Sequence, residues 1–324
     1  MRVLVTGGSG YIGSCAARHL AAAGHEVVIL DNLSTGHKEL AQDFELVVGN
    51  IADRKLVDGL LARVDAVMHF AASAYVGESV VNPRKYFANN VESGLALLDA
   101  VLASKVRTFV FSSTCAVYGV PRALPMTEEL AREPINPYGA SKLFFERVLE
   151  AYAVAHGLRY AALRYFNAAG AHESGEIGEM HEPETHLIPL AIRAALGTGP
   201  ELKVFGDDFE TPDGTCIRDY IHVSDLAEAH VKAVEYLSAG GDPVALNLGT
   251  GKGSSIREVI RWTEEVSGRK LPHEVVGRRA GDPPALYASA AKAERVLGWK
   301  ARRDLEKILK SALEWELKKG AVMR

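Results

Sequence analysis

The chain has 324 residues, a formal net charge of −4 and a hydrophobic content of 48%. With a mean hydropathy close to zero, these values are typical of a globular protein that buries a large core. A chain of this length predicts two domains. The weak negative charge argues against nucleic acid or an anionic membrane as a main partner. No apolar run approaches the ~18 residues that a membrane span needs, so we predict no membrane partner.

Three cysteines are spread widely over the chain, at positions 15, 115 and 216. An odd number at such spacing is typical of a reducing compartment, where no disulfide framework forms. No signal peptide is recognisable before the first apolar run. From these two observations we predict a cytoplasmic location.

Strand-like and helix-like patterns alternate through the first half of the chain. The predicted strands are 2–6, 26–31, 45–48, 65–70, 107–113 and 159–165, and the predicted helices are 11–23, 53–62, 85–103 and 138–156. This alternation is typical of a doubly wound parallel sheet with helices on both faces. We therefore predict a Rossmann-type α/β domain over residues 1–170.

The pattern changes after residue 170. Residues 171–187 are polar and contain glycine, which indicates a loop or lid. Helices are predicted near 188–196, 224–238, 255–267 and 304–319, with loops around 206–216. We predict a second, smaller α/β domain over 171–324 that binds the substrate. An alternative boundary would let residues 213–240 pack back on the first domain.

A glycine-rich turn follows the first predicted strand. Gly8, Gly10 and Gly13 fit G-x-G-x-x-G, and Gly7 extends the pattern. Glycines at a strand-to-helix turn let backbone N–H groups approach a pyrophosphate. Asp31 ends the second strand, 18 residues after Gly13, where a carboxylate accepts ribose hydroxyls and favours NAD over NADP. The alternative is a plain turn with an ordinary surface aspartate.

A tyrosine and a lysine stand four residues apart at the start of a predicted helix, as Tyr138 and Lys142. This spacing puts both side chains on one helix face. A nearby ammonium group lowers the pKa of a phenol and brings it toward the range of a useful base. Taken alone, the same pair also fits an ordinary solvated helix face.

Several further segments match motifs of one enzyme family. They are T-G-G-S-G-Y-I-G (6–13), D-N-L (31–33), H-F-A-A (69–72), G-E-S (77–79), N-N-V (89–91), F-S-S-T-C-A-V-Y-G (111–119), N-P-Y-G-A-S-K (136–142), R-Y-F-N (164–167) and T-P-D-G-T-C-I-R-D-Y-I-H-V (211–223). Over nearly the whole chain they resemble the extended short-chain dehydrogenase/reductase family. The last segment is the most specific, because it resembles the nucleotide-sugar epimerases of that family.

The resemblance implies roles for individual residues. Thr114, Tyr138 and Lys142 would be catalytic, with Tyr138 as the base. The residues that would bind NAD, besides Tyr138 and Lys142, are Gly7, Gly10, Tyr11, Ile12, Gly13, Asp31, Asn32, Asn50, Ile51, Phe70, Ala71, Ala72, Asn89, Tyr165 and Phe166. The residues that would bind a UDP-sugar, besides Thr114 and Tyr138, are Asn167, Leu187, Phe205, Arg218, Arg279 and Asp282.

The chain departs from the family pattern at three places. Asn50 stands where the family usually has aspartate, and its amide can still hydrogen bond to adenine. Ala74 and Tyr75 stand where some epimerases have a lysine. A position that gates N-acetylated sugars corresponds to Leu286, or to Tyr287 in an alternative alignment, which leaves acceptance of those sugars open.

The activity that the resemblance implies is NAD-dependent interconversion of UDP-glucose and UDP-galactose, by inversion at sugar C4 through a 4-keto intermediate. It also implies a homodimer formed through the helix carrying Tyr138 and the helix over 91–102, although burial within one chain explains the apolar pattern of 91–102 as well. One alternative is 4-epimerisation of UDP-N-acetylglucosamine or a UDP-pentose. A dehydratase is less favoured, because Cys115 and Ala116 replace the Asp-Glu pair that follows its catalytic threonine. A non-catalytic NAD-binding regulator is the remaining alternative.

Three histidines, His172, His181 and His186, fall in the loop over 171–187. They are interpreted as lid or surface residues, because no cysteine or tight histidine spacing supports a closed metal site. We therefore predict no metal ligands.

Overall fold

Fourteen strands are present in the computed structural model, which describes residues 1–279 and 281–322. They are β1 Arg2–Thr6, β2 Glu26–Asp31, β3 Glu45–Val48, β4 Ala66–His69, β5 Thr108–Thr114, β6 Arg159–Tyr165, β7 Asn167–Ala169, β8 Leu202–Phe205, β9 Ile217–Arg218, β10 Tyr220–His222, β11 Val244–Leu248, β12 Ser254–Ser255, β13 His273–Val276 and β14 Ala285–Leu286. Seven of them form one parallel sheet in the order β11-β6-β5-β4-β1-β2-β3.

The helices connect these strands and cover both faces of the sheet. They are α1 Tyr11–Ala22, α2 Arg54–Leu61, α3 Val76–Val81, α4 Pro83–Tyr86, α5 Ser93–Ala103, α6 Pro137–His156, α7 Leu187–Leu196, α8 Val223–Ser238, α9 Ile256–Ser267, α10 Ala291–Leu297 and α11 Leu305–Val322. Short 3-10 turns cover Lys38–Ala41 and Cys115–Tyr118. The predicted doubly wound parallel sheet is confirmed.

The predicted helix over 85–103 is divided into parts. Helix α4 leads into a π-helical turn at Phe87–Glu92, which leads into α5. Within this turn Asn90 is buried while Asn89 stays partly exposed. Hydrophobic periodicity does not reveal such a turn, because one wider turn leaves the apolar spacing on either side unchanged.

Strand alternation distributes the apolar residues to two cores. In β1, Val3 and Val5 pack in the core that includes helices α1 and α8, whereas Leu4 packs in the core that includes α2, α5 and α6. Successive side chains of a strand point to opposite faces, so a strand covered on both sides reads as a continuous apolar run. This explains the unbroken Val3–Val5 run at the start of the chain.

The second half of the chain contributes to both parts of the molecule. Helix α8 packs against α1, and β11 pairs with β6 at the edge of the main sheet. Helices α7, α9 and α11 share a separate core, beside which β8 pairs with β13 and β9 pairs with β12 and β14. The division into domains at residue 170 stays a prediction. In the described part of the chain, no helix has the length and apolar character to cross a membrane.

Candidate active site

The glycine-rich turn lies between β1 and α1 and is closely packed. Gly7 has a φ of +72°, and a Cβ there would lie 2.5 Å from Ala71 N. A Cβ on Gly13 would lie 2.2 Å from Gly7 O. Only glycine fits both positions, and the turn brings the backbone N–H groups at the start of α1 toward the carboxyl ends of the strands, as pyrophosphate binding requires.

Asp31 is buried at the end of β2, the strand next to β1. Its carboxylate accepts hydrogen bonds from Ser9 N at 3.0 Å and Leu33 N at 2.8 Å. These bonds fix a negative group beside the glycine turn, where it suits ribose hydroxyls and disfavours a 2′-phosphate. The turn and the carboxylate together fit the adenosine diphosphate half of NAD.

The remaining residues expected at the cofactor follow the ends of other sheet strands. Phe70, Ala71 and Ala72 follow β4, and Tyr165 ends β6 with Phe166 after it. Asn32 follows β2, whereas Asn50 and Ile51 follow β3, Ile51 being buried and Asn50 exposed. Carboxyl ends of parallel strands meet at one edge of the sheet, where nucleotide folds bind their ligands.

Thr114, Tyr138 and Lys142 meet at the same edge. Thr114 is the last residue of β5, and its Oγ1 accepts a hydrogen bond from Ala116 N at 3.1 Å. Asn136 caps α6 by accepting from Gly139 N at 2.8 Å, which places Tyr138 in the first turn. The Lys142 Nζ lies 6.0 Å from the centroid of the Tyr138 ring.

Burial controls the protonation of this pair. It lowers the pKa of Lys142 to about 7, although Glu146 acts to raise it, and Lys142 Nζ donates to Ser112 O at 2.7 Å. Burial also raises the pKa of Tyr138, an effect that Tyr165 increases and a hydrogen bond with Thr114 reduces. The lowered phenol pKa expected from the Tyr–Lys spacing is therefore wrong, because desolvation is the largest cause of the shift in the pKa of Tyr138.

A buried ion pair between α6 and β6, next to the site, was not predicted from the sequence. Arg164 donates to both oxygens of Glu146, at 2.9 and 2.6 Å, and Ser113 donates to Glu146 Oε1 at 2.5 Å. These bonds tie together β5, β6 and α6, the three elements that carry Thr114, Tyr165 and the Tyr–Lys pair. The signal in the sequence was Glu146, four residues after Lys142 on the helix.

Asn90, in the π-helical turn, was missed as well. Its Nδ2 donates to Ser73 O at 3.0 Å and to Ser141 Oγ at 3.1 Å, and its Oδ1 accepts from Ser73 N at 2.8 Å. Asn90 thus joins the segment after β4 to helix α6. Asn89, which was expected at the cofactor, donates to Ser73 Oγ at 3.2 Å.

Four residues expected at the UDP-sugar form one cluster. The Arg279 guanidinium lies 4.7 Å from the centroid of the Phe205 ring, and its Nε donates to Asp282 at 3.0 Å. Arg218 Nη2 is 3.5 Å from the same carboxylate. The cluster combines an aromatic face with two guanidinium groups, which suits a nucleobase next to a diphosphate.

The other residues expected at the sugar lie on neighbouring elements. Asn167 begins β7, and its Nδ2 donates to Asp219 O at 3.2 Å. Leu187 begins helix α7. Leu286 is paired with Arg218 in the β9–β14 ladder, which puts the gating position of the first alignment beside an arginine of the cluster. The backbone of Tyr287 accepts from Met126 N at 2.9 Å.

The family model and the most similar curated proteins both indicate an epimerase family. Residues 3–249 match the model of the NAD dependent epimerase/dehydratase family. A UDP-glucose 4-epimerase of Rhizobium leguminosarum bv. trifolii is 52% identical over 318 residues, 98% of this chain and 97% of that protein.

Solved structures are equally similar. The UDP-glucose 4-epimerase of Brucella ovis in complex with NAD has a TM-score of 0.94 and 53% identity, covering 96% of this chain and 97% of that one. The enzyme of Stenotrophomonas maltophila with bound NAD and formylated UDP-arabinopyranose has a TM-score of 0.95 and 41% identity, covering 99% of both chains. On these matches, and on the site just described, the chain belongs to the NAD dependent epimerase/dehydratase family.

Proposed function

We propose that this protein interconverts UDP-glucose and UDP-galactose by inverting the configuration at sugar C4, with NAD as a resident cofactor. The observation that carries the proposal is the convergence of Thr114, Tyr138 and Lys142 with the glycine turn at one edge of the sheet. Two UDP-glucose 4-epimerases share 52% and 51% sequence identity with this protein over 98% of its chain, which supports the same activity here.

The cofactor would be held along the carboxyl edge of the sheet. The glycine turn would bind its pyrophosphate and Asp31 its adenosine ribose, while Tyr165 and Phe166 would flank the nicotinamide side. Bound there, NAD would supply a hydride acceptor and donor for sugar C4, and the residues named above would hold it in place.

The proton of the sugar 4-hydroxyl would go to Tyr138. The Thr114 hydroxyl would share a hydrogen bond with that oxygen, and Lys142 would supply positive charge close to the phenol. Lys142 already donates to Ser112 O, so its position is fixed before substrate arrives. Tyr138 would return the proton once the configuration is inverted, which makes it base and acid in one cycle.

Inversion requires a firm anchor and a sugar that can turn. Phe205, Arg218, Arg279 and Asp282 would hold the UDP part, since they offer an aromatic face and paired donors. Asn167 and Leu187 would contact the sugar. The 4-keto sugar could then turn about its link to the diphosphate and present its other face.

Proton NMR of the sugar during incubation tests the proposal. The purified protein is incubated with UDP-galactose, without added cofactor. UDP-glucose should appear without stoichiometric NADH, because the cycle regenerates the cofactor. If the sugar stays unchanged even after NAD is added, hexose 4-epimerisation is excluded.

A second candidate function is 4-epimerisation of another UDP-sugar. Leu286, which is paired with Arg218, supports this alternative in the alignment that makes it the gating residue, because a leucine there would not exclude N-acetylated sugars, whereas the alignment on Tyr287 would exclude them. Parallel incubations with UDP-N-acetylgalactosamine and a UDP-pentose decide between these substrates. Dehydration is disfavoured, because burial raises the pKa of Cys115 to about 12 and Ala116 has no acid or base.

The assembly that we propose is a homodimer. Large apolar side chains are exposed on the surface formed by α3, the π-helical turn and α6, namely Val80, Val81, Phe87 and Phe144. By contrast Leu98 and Val101, from the apolar series over 91–102, are buried within the chain. The four exposed apolar side chains thus support a contact between two subunits that includes α6, and not one formed by the buried residues of 91–102. The cytoplasmic location stays a prediction.

A further inference from the structure

Four side chains with metal-binding atoms converge in the segment between β7 and α7. They are Glu179, His181, Glu184 and His186, and one ligand atom of each lies within 4.8 Å of the other three. His186 Nδ1 is 2.8 Å from Glu179 Oε1 and 3.0 Å from Glu184 Oε1. His181 Nδ1 is 3.1 and 3.9 Å from the same two atoms. Ligand atoms bound tetrahedrally at about 2.1 Å lie about 3.4 Å apart, close to these values.

Two atoms of the cluster lack partners despite burial. The Glu184 side chain is 2% exposed, and within residues 1–279 and 281–322 its Oε2 has no hydrogen-bond partner. The same holds for His181 Nδ1, which lies near Glu179 without forming a hydrogen bond. A buried polar atom without a partner is costly, and a cation bound by His181 Nδ1 and by both oxygens of the Glu184 carboxylate would satisfy both atoms.

The surroundings hold the cluster in place. The Trp315 indole donates to Glu179 O at 3.0 Å, which fixes the backbone at the first ligand. The Tyr75 ring lies 5.6 Å from the His181 ring and 6.4 Å from the His186 ring, between centroids. The ligand atoms are therefore arranged by packing from α11 and from the segment after β4, and not by the loop alone.

We propose that Glu179, His181, Glu184 and His186 bind one divalent transition-metal ion, for which Zn²⁺ is the best chemical match. Two imidazoles and two carboxylates suit zinc, and four protein ligands are typical of a structural site. Such an ion would cross-link residues 179–186 and hold them against Tyr75. The site uses none of the residues proposed for epimerisation and goes beyond that function. Sequence spacing did not reveal it, because the two carboxylates join the histidines only in the folded loop.

Isothermal titration calorimetry tests the proposal directly. Tag-free protein is stripped with EDTA, dialysed against chelator-free buffer and titrated with zinc chloride. We expect one Zn²⁺ per chain and a higher thermal unfolding midpoint in the zinc-loaded protein, because an ion that binds only the folded state stabilises it. Anomalous X-ray scattering at the zinc edge should place the ion among the four side chains.

Two single variants and a control complete the test. Glu184→Gln and His181→Gln should each weaken zinc binding by more than about 10-fold, a loss that changes outside the ligand set already cause. His156→Gln changes an exposed histidine at the end of α6 and should leave binding unchanged. Circular dichroism identifies which variants are folded, and either folded variant suffices. No zinc binding by the unmodified protein, equal affinity in a folded ligand variant, or an anomalous peak elsewhere would overturn the proposal and leave a hydrogen-bonded ion-pair cluster.

Discussion

At the scale of single residues, burial decides the chemistry of the proposed catalytic pair. Lys142 is 3% exposed and sits among Phe111, Ser112 and the Tyr138 ring. The same surroundings lower the pKa of buried His69 to about 3, through desolvation and through Lys142. Because water is largely excluded from this site, the electrostatic interactions of any charge that substrate or cofactor brings into it are stronger than in solvent.

The first prediction concerns Tyr138. Tyr138→Phe removes the proton acceptor while keeping the ring, so we expect kcat to fall by about 10²–10⁴-fold, the range of general acid–base catalysis. Conversion of UDP-galactose to UDP-glucose is the measurement, with NAD content determined in parallel. Tyr152→Phe, fourteen residues or about 21 Å further along the same helix, serves as control and should keep its activity. A Tyr138 variant with the activity of the control would exclude this residue as the base.

The second prediction concerns the pH dependence of stability. The folded-state pKa of Lys142 is about 7, against about 10.4 for an unfolded lysine. Between these values the unfolded state binds more protons, so this residue makes the free energy of unfolding rise with pH by up to about 1.4 kcal/mol per unit. The destabilisation caused by burying Lys142 is therefore largest below about pH 7 and is absent above about pH 10.

Lys142→Met removes this contribution. NAD-free variant and unmodified protein are compared by urea unfolding at pH 7.5 and 9.0. The variant should be the more stable protein at pH 7.5, and its advantage should shrink by about 2 kcal/mol at pH 9.0. An equal change in the free energy of unfolding between pH 7.5 and 9.0 in the two proteins would contradict the lowered pKa of Lys142.

At the scale of secondary-structure elements, the site depends on contacts that fasten strands to helices. The Glu146–Arg164 pair connects α6 to β6, and Ser113 brings in β5. Tyr118 extends the network, because its hydroxyl accepts from Arg164 at 2.8 Å and donates to Asn247 at 2.6 Å. Strand β11, which contains Asn247, is thereby connected to the same network.

The third prediction tests this network. Glu146→Ala leaves the Arg164 charge buried without its main partner, so we expect a loss of about 3–5 kcal/mol in the free energy of unfolding. The double variant Glu146→Leu with Arg164→Met should recover much of that loss, because no buried charge remains unpaired. Urea unfolding measures both effects.

Glu150→Ala is the matched control on the same helix. This carboxylate pairs with Arg132 at the surface and should cost no more than about 1 kcal/mol. A Glu146 variant as stable as this control would mean that the buried pair does not stabilise the junction of β5, β6 and α6.

At the scale of the whole molecule, parts of the second half of the chain pack against the sheet that the first half forms. Helix α8 and strand β11 complete the layer begun by β1 and α1, while α7, α9 and α11 form a core of their own. The proposed site lies where these parts meet, because Thr114 and Tyr138 come from the sheet layer and Phe205 and Arg218 from the later segments. One surface of the sheet layer, which includes α6, still exposes large apolar groups.

The fourth prediction concerns that surface. In the proposed dimer Phe144, which is 47% exposed in the single chain, would lie in the contact. Light scattering should give twice the chain mass of 34.9 kDa for the unmodified protein. Phe144→Glu should give a mass near that of one chain, because a charge in an apolar contact is unfavourable.

Leu317→Glu provides the comparison for this experiment. Leu317 is 66% exposed on α11, outside the proposed contact, and its variant should remain dimeric. A single-chain mass for the unmodified protein would exclude the dimer, and a dimeric Phe144 variant would exclude α6 from its interface.

The sequence by itself determined the features that depend on neighbouring residues. Apolar runs gave six strands of the parallel sheet within a residue or two at each end, and the positions of the glycines and of Asp31 gave the expected cofactor turn. The start of α6 followed from its Asn-Pro cap, which put Tyr138 and Lys142 on one face. Such features are readable because helix and strand periodicity and turn chemistry act over a few residues.

Only the tertiary structure decided what depends on distant residues. It added β11 to the sheet, paired Glu146 with Arg164, and gathered Glu179 and Glu184 with two histidines in one cluster. It also reversed the expected shift in the pKa of Tyr138, since the cost of desolvation depends on every element that surrounds the phenol. Burial and long-range pairing are properties of the folded chain, and no local spacing encodes them.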